Sequence, residues 1–168
     1  MSKTTKTVLI VGVVAIALFY FTTQARRVDV GAAAISKLKL EGANLRINVK
    51  IPVINRSDFA VPISGFLGNL LYNGAPIGTT TLVSQTTLEG RSQTTLEFST
   101  VVSLLSVATS TPLLNLLNAL AGKYLGVSLP NLPAPTLSDL TNAVRAIRIR
   151  GTLYLGAVGF DINEPLTV

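Results

Sequence analysis

The sequence predicts a single, mainly β domain of the antiparallel-sandwich type, with one or two short helices, preceded by an N-terminal transmembrane helix. Three observations predict it. Leu45, Ile47, Val49, Ile51 and Val53 alternate with Arg46, Asn48, Lys50 and Pro52, the period of a strand with one buried face. Further strand-like runs follow, separated by turn formers, with a helical stretch before the last two. Finally, Val8 to Phe21 is an uninterrupted apolar run flanked by basic residues.

The N-terminal run sets the organisation of the chain. Residues 1–7 read as a short basic tail, 8–23 as the transmembrane helix and 24–36 as a linker. Residues 37–168 read as the sandwich domain, with a helical insertion at about 111–146. The membrane-embedded side chains are Val8, Leu9, Ile10, Val11, Val13, Val14, Ile16, Leu18, Phe19, Tyr20 and Phe21. Counted from Thr7 to Thr23, the segment spans roughly 25 Å as a helix, the short limit for a bilayer. Phe19 and Tyr20 sit where an aromatic belt places them. Lys3, Lys6, Arg26 and Arg27 flank the run. The rival reading is a signal peptide cleaved after Thr23-Gln24-Ala25, a poor match to the small-residue cleavage pattern. Basic residues balance across the run, so the positive-inside rule chooses weakly. The expected arrangement keeps the tail inside and the domain on the extracytoplasmic side.

Composition bounds the rest. The chain has 168 residues, 48% hydrophobic and only 13% charged, with no Cys and no His. Disulfides and thiol chemistry are excluded, as are histidine-based acid–base catalysis and histidine metal ligation. The net charge of +6 comes from 14 basic and 8 acidic residues. Setting aside the four flanking residues leaves 10 against 8, so a specific nucleic-acid partner is not expected.

Along the domain, Asn55-Arg56-Ser57-Asp58 ends the first strand with turn formers. Val61 to Tyr72 is a second strand, where Gly65 and Gly68 suggest a bulge or bend. Asn73-Gly74 marks a hairpin, and a Thr-rich strand runs from about Thr79 to Leu88. Glu89-Gly90-Arg91 turns the chain into a strand with Thr94, Leu96, Phe98, Thr100 and Val102 inward. Thr111-Pro112 then opens a helix carrying Leu113, Leu116, Leu117 and Leu120 on one stripe, with Gly122 as its stop. A proline-rich loop and a short helix from Thr136 to about Ala146 precede a final hairpin, Ile147 to Leu155 and onward through Phe160 and Ile162.

The stretches LRINVKIPVINRSDFAVPI, LLYNGAPIG and IRIRGTLYLGAVGFDI resemble the type 2 late embryogenesis abundant family, also called the water-stress and hypersensitive-response domain. The resemblance covers roughly Leu38 to Leu166. Where that family carries Asn-Pro-Asn or Asn-Pro-Ser, this chain has Asn55-Arg56-Ser57. The resemblance implies a fibronectin-like or immunoglobulin-like sandwich, no enzyme activity and an extracytoplasmic domain on one N-terminal helix.

No catalytic constellation is legible, and no cofactor or metal site is expected. The eight acids are scattered, and neither a nucleophile elbow nor a P-loop occurs. Asn55-Arg56-Ser57 is formally a glycosylation sequon, here read as a strand-end turn. The candidate contacts with lipid or a partner are Arg145, Arg148 and Arg150, the densest cationic cluster, and Leu125, Leu129 and Leu132 of the Leu-rich insertion. The resulting functional expectation is a non-enzymatic, membrane-anchored protein that binds or shields a membrane or apolar partner in the cell envelope. The alternative is a structural membrane protein of an assembly such as a lipid-containing virion, with other subunits as partners.

Overall fold

The computed structural model describes residues 27–84, 86–104, 111–126, 141–142, 144–156 and 158–167. The apolar run Val8–Phe21, with Lys3, Lys6 and Arg26, lies outside the described residues. Among the described residues no helix is long and apolar enough to cross a membrane.

The strands are β1 (Val28–Val30), β2 (Ala33–Glu41), β3 (Asn44–Asn55), β4 (Val61–Tyr72), β5 (Ala75–Leu82), β6 (Thr86–Leu88), β7 (Ser92–Ser103), β8 (Ile147–Leu155) and β9 (Val158–Thr167), with the helix α1 (Thr111–Leu125) between β7 and β8. The β3 alternation is realised: Leu45, Ile47, Val49, Ile51 and Val53 are all buried. So is the inward set of β7, with Leu96, Phe98, Thr100 and Val102 buried and Thr94 half-buried. Asn73 and Gly74 both take positive φ, 49° and 83°, the primed turn that matches strand twist.

The architecture corrects the sandwich expected from sequence. Seven strands close into a barrel in the order β3-β2-β9-β8-β4-β5-β7, and β7 pairs back onto β3. Two antiparallel groups, β2-β3-β7 and β9-β8-β4-β5, are what a sandwich would stack face to face. Here both pairs of edges are joined. On one side β2 and β9 pair in parallel through Ala33↔Leu166 and Ala34↔Thr167. On the other, β5 leaves β4 and reaches β7 through Thr80↔Thr100, Thr81↔Ser99 and Leu82↔Phe98. The chain then returns to β4 as β6. Inward-and-outward alternation is common to sandwiches and barrels, so the strand pattern alone does not choose between them.

The linker expected at 24–36 is also corrected in its described part. Val28–Val30 pairs with Val53–Asn55, and Ala33 onward forms β2. Val28, Ala33 and Ile35 are buried in the core. The domain therefore includes the residues from Val28 on, ahead of the expected start at residue 37. Its short apolar positions lie either side of Gly31-Ala32, which breaks the period and hides the strands.

A bulge does fall between Ile63 and Gly65. It shifts the phase of β4 so that Phe66, Gly68 and Leu70 point inward. Gly68 pairs with Gly151 of β8, and a Cβ on either would collide with the Phe66 ring. The two glycines thus make room for Phe66, which meets Phe98 edge-on at 4.9 Å between centroids. The barrel interior is filled by side chains, as small barrels require.

Helix α1 runs past the stop expected at Gly122 and ends before Gly126, whose φ of 67° suits a helix C-terminus. Leu116, Leu117 and Leu120 are buried in the common core, while the Leu113 side chain lies outside the described residues. The helix packs on β2, where the Tyr124 hydroxyl donates to the Ile35 carbonyl at 3.4 Å. It thus covers β2 next to its short joint with β9. The helix expected from Thr136 is described only over 141–142 and 144–145, where Val144 is buried.

The two ends of the barrel are distinct. The Arg27 carbonyl accepts from the Arg56 amide at 2.9 Å, so the chain enters beside the β3–β4 turn. The 104–146 insertion leaves after Ser103, opposite Asn44, and returns at Ile147, opposite Tyr72. Entry and insertion therefore lie at opposite ends of β3, about 30 Å apart for twelve tilted strand residues.

Candidate functional site

Among the described residues the interior is packed with side chains, and the charged groups lie on the surface. The outward faces of β8, β4 and β5 line up through the pairings Arg148↔Leu71↔Pro76, Arg150↔Asn69↔Thr79 and Thr152↔Leu67. Together they border a shallow cleft of about 540 Å3, lined by Leu67, Asn69, Leu71, Pro76, Thr79 and Arg150, with backbone of Gly68 and Gly151 among its walls. Leu67 is 67% exposed, the most exposed large apolar side chain among the described residues. Tyr154, two residues beyond Thr152 on the same face, is also exposed.

The sequence-derived candidates separate. Arg148 and Arg150 are both exposed on this face. Arg148 is held: its Nε donates to Asn163 Oδ1 at 3.0 Å and Nη2 to the Asn163 carbonyl at 2.9 Å. Arg150 has no hydrogen-bond or ion-pair partner among the described residues. Arg145 is exposed just before β8, at the insertion end. Leu125, the last residue of α1, is half-buried and packs against the core. Leu129 and Leu132 lie outside the described residues. Arg27 is exposed at the entry end.

Leu67, Leu71, Asn69, Pro76 and Thr79 escaped the sequence reading. The bulge after Ile63 reverses the phase of β4, so Leu67 and Leu71 look like core positions until the register is known. A signal was present in Gly65, but a bulge does not announce which side it moves.

Five of the seven described carboxylates are committed to structure. Asp29 pairs with Arg56, Asp58 with Arg91, and Glu41 with Lys39 and Arg46. Glu97 accepts from Asn48, and Asp161 from Thr152. Among the described residues no three acidic groups gather as a metal site would need. Asn55 of the formal sequon is fully buried. Its amide donates to the carbonyls of Phe59, Leu88 and Glu89 at 2.7, 3.1 and 3.1 Å, and its oxygen accepts from the Ser57 amide and hydroxyl. Asn55 is a clasp between two turns, and the folded domain offers no access to it for glycosylation.

No family model and no curated protein matches this chain. It is similar to a crystal structure of a protein from Archaeoglobus fulgidus, with a TM-score of 0.45 and 13% identity, covering 80% of this chain and 90% of that one.

Proposed function

We propose that this protein is a non-enzymatic binding module held at a membrane by its N-terminal apolar segment, as many members of the type 2 late embryogenesis abundant family are. The observation that carries the reading is the division between a filled interior and an amphiphilic outer face. Phe66, Phe98, Ile47, Ile51 and Leu153 occupy the barrel, leaving binding to the surface, where Arg150 and Leu67 stand together. The apolar run Val8–Phe21 and its basic flanks support the membrane placement.

The native protein tests this reading. Its intact mass is expected to include residues 1–26, and it should stay with membranes through high-salt and alkaline washes. A mature chain starting at Arg26 and released into the soluble fraction would overturn the anchor.

A further inference from the structure

We infer that the outer face of β8 and β4 is a second membrane contact, which lays the barrel against anionic phospholipid headgroups of the bilayer that holds the apolar segment. The inference rests on the anchored reading above and names the partner of the same face.

Three observations converge on that occupant. The first is chemical. Arg150 is an exposed guanidinium without a partner among the described residues, and a planar fork of donors suits phosphate oxygens. Arg148 stands two residues away on the same strand face. Of the two acids on the neighbouring strand, Glu164 pairs with the buried Ile149, and Asp161, opposite Thr152, already accepts from its hydroxyl at 2.9 Å. The second is the company these cations keep. Leu67 and Tyr154 project from the same face, 67% and 39% exposed. Cations beside an aliphatic chain and a tyrosine fit the headgroup boundary of a bilayer, where apolar side chains enter and cations meet phosphate.

The third is reach. Six residues, Thr22 to Arg27, separate the apolar run from the barrel, at most about 20 Å of chain. Arg27 lies at the end of the barrel where β8 finishes, and β8 follows β9 around the ring from the β1–β2 side. The Thr152–Tyr154 part of the face, with Leu67, is therefore nearest the tether, Arg150 stands at mid-strand, and Arg148, beside Ile147, lies toward the insertion end. A tether this short holds the face at high effective concentration near the surface, so weak headgroup contacts suffice.

The absence of cysteine makes the test clean. Full-length protein carrying Leu67→Cys is labelled with a fluorophore and reconstituted into vesicles of phosphatidylcholine, with or without phosphatidylglycerol, doped with headgroup-proximal spin-labelled lipid. Val101→Cys, on the outward face of β7, two strands round the ring from β4, is the control. Quenching is expected at position 67 and not at 101, only with the anionic lipid. Arg148→Gln with Arg150→Gln should weaken it, each arginine accounting for about fivefold in surface affinity. Retention on vesicles in high salt reports the anchor separately, so the two readings fail independently. Equal quenching at 67 and 101, quenching indifferent to lipid charge, or none at 67 would overturn the inference. Self-quenching at 67 that follows protein density rather than lipid would assign the face to a second copy instead.

Discussion

The barrel is joined by long ladders and by two short seams. The β3–β7 and β4–β8 ladders run through twelve and nine residue pairs, whereas the β2–β9 and β5–β7 seams have two and three. These two ladders join strands far apart in the chain, and they are long because both strands of each carry extended runs of alternately buried residues. The seams have no such run. They hold because Ala33, Leu166, Thr80 and Phe98 lie on them and are buried in one shared interior. Core packing, more than backbone pairing, closes this ring.

The largest expected effect breaks a ladder from within. Val49 is fully buried opposite Phe98. Val49→Asp puts a carboxylate in the packed interior with no cation to meet it, a cost of several kcal/mol against a total stability of about 5–15. The variant is expected to lose its cooperative thermal transition and its dispersed amide spectrum. A wild-type melt would mean that the β3 face is not the core.

This contrast also explains how far the sequence could be read. Leu45–Val53 and Leu96–Val102 have an uninterrupted period, and the structure buries the residues that the period selects. Asn73-Gly74 and Thr111-Pro112 stand at a turn and a helix start as expected. The barrel itself was out of reach, because five residue pairs at two seams separate it from a sandwich, and a strand's periodicity does not record its neighbours. Strands β1 and β2 were missed because Gly31-Ala32 interrupts them and Ser36, Lys37 and Lys39 make β2 look polar. Beyond its joint with β9, β2 presents an edge, and lysines at an edge discourage further pairing. As for the candidate site, Arg148 and Arg150 were legible from their spacing on one strand, while Leu67 and Leu71 were hidden by the β4 bulge.

A smaller effect tests the β5–β7 seam. The Thr80 and Thr100 hydroxyls are fully buried and hydrogen-bonded to each other at 2.7 Å. Thr100→Val keeps the shape and leaves the Thr80 hydroxyl without this partner, which should cost about 1–3 kcal/mol in denaturant unfolding. Adding Thr80→Val removes the orphan and should recover most of the loss. A double variant no more stable than the single one would show that the seam depends on more than this hydroxyl pair.

The smallest expected effect lies outside both seams, at the hairpin joining β2 and β3. The Glu41 carboxylate accepts from Arg46 Nε and Nη2 at 3.0 and 2.9 Å and lies 3.1 Å from Lys39 Nζ. The Arg46 hydrogen bonds, and after them that of Lys39, lower its pKa from 4.5 to about 2. The folded carboxyl thus takes up a proton less readily than the unfolded one. Its contribution is fully present above the unfolded value and is lost as pH falls through the window from 4.5 to about 2. Lys39 is exposed and Glu41 and Arg46 are partly so, and water and salt therefore screen the group and keep its contribution small. Glu41→Gln should therefore lower the urea midpoint slightly at neutral pH, and the two proteins should converge as pH approaches about 2. Added salt should shrink the neutral-pH difference, because exposed charges are screened within roughly 10 Å at 0.1 M. A difference that stays constant across that pH range would trace to lost packing of the hairpin and not to the charge.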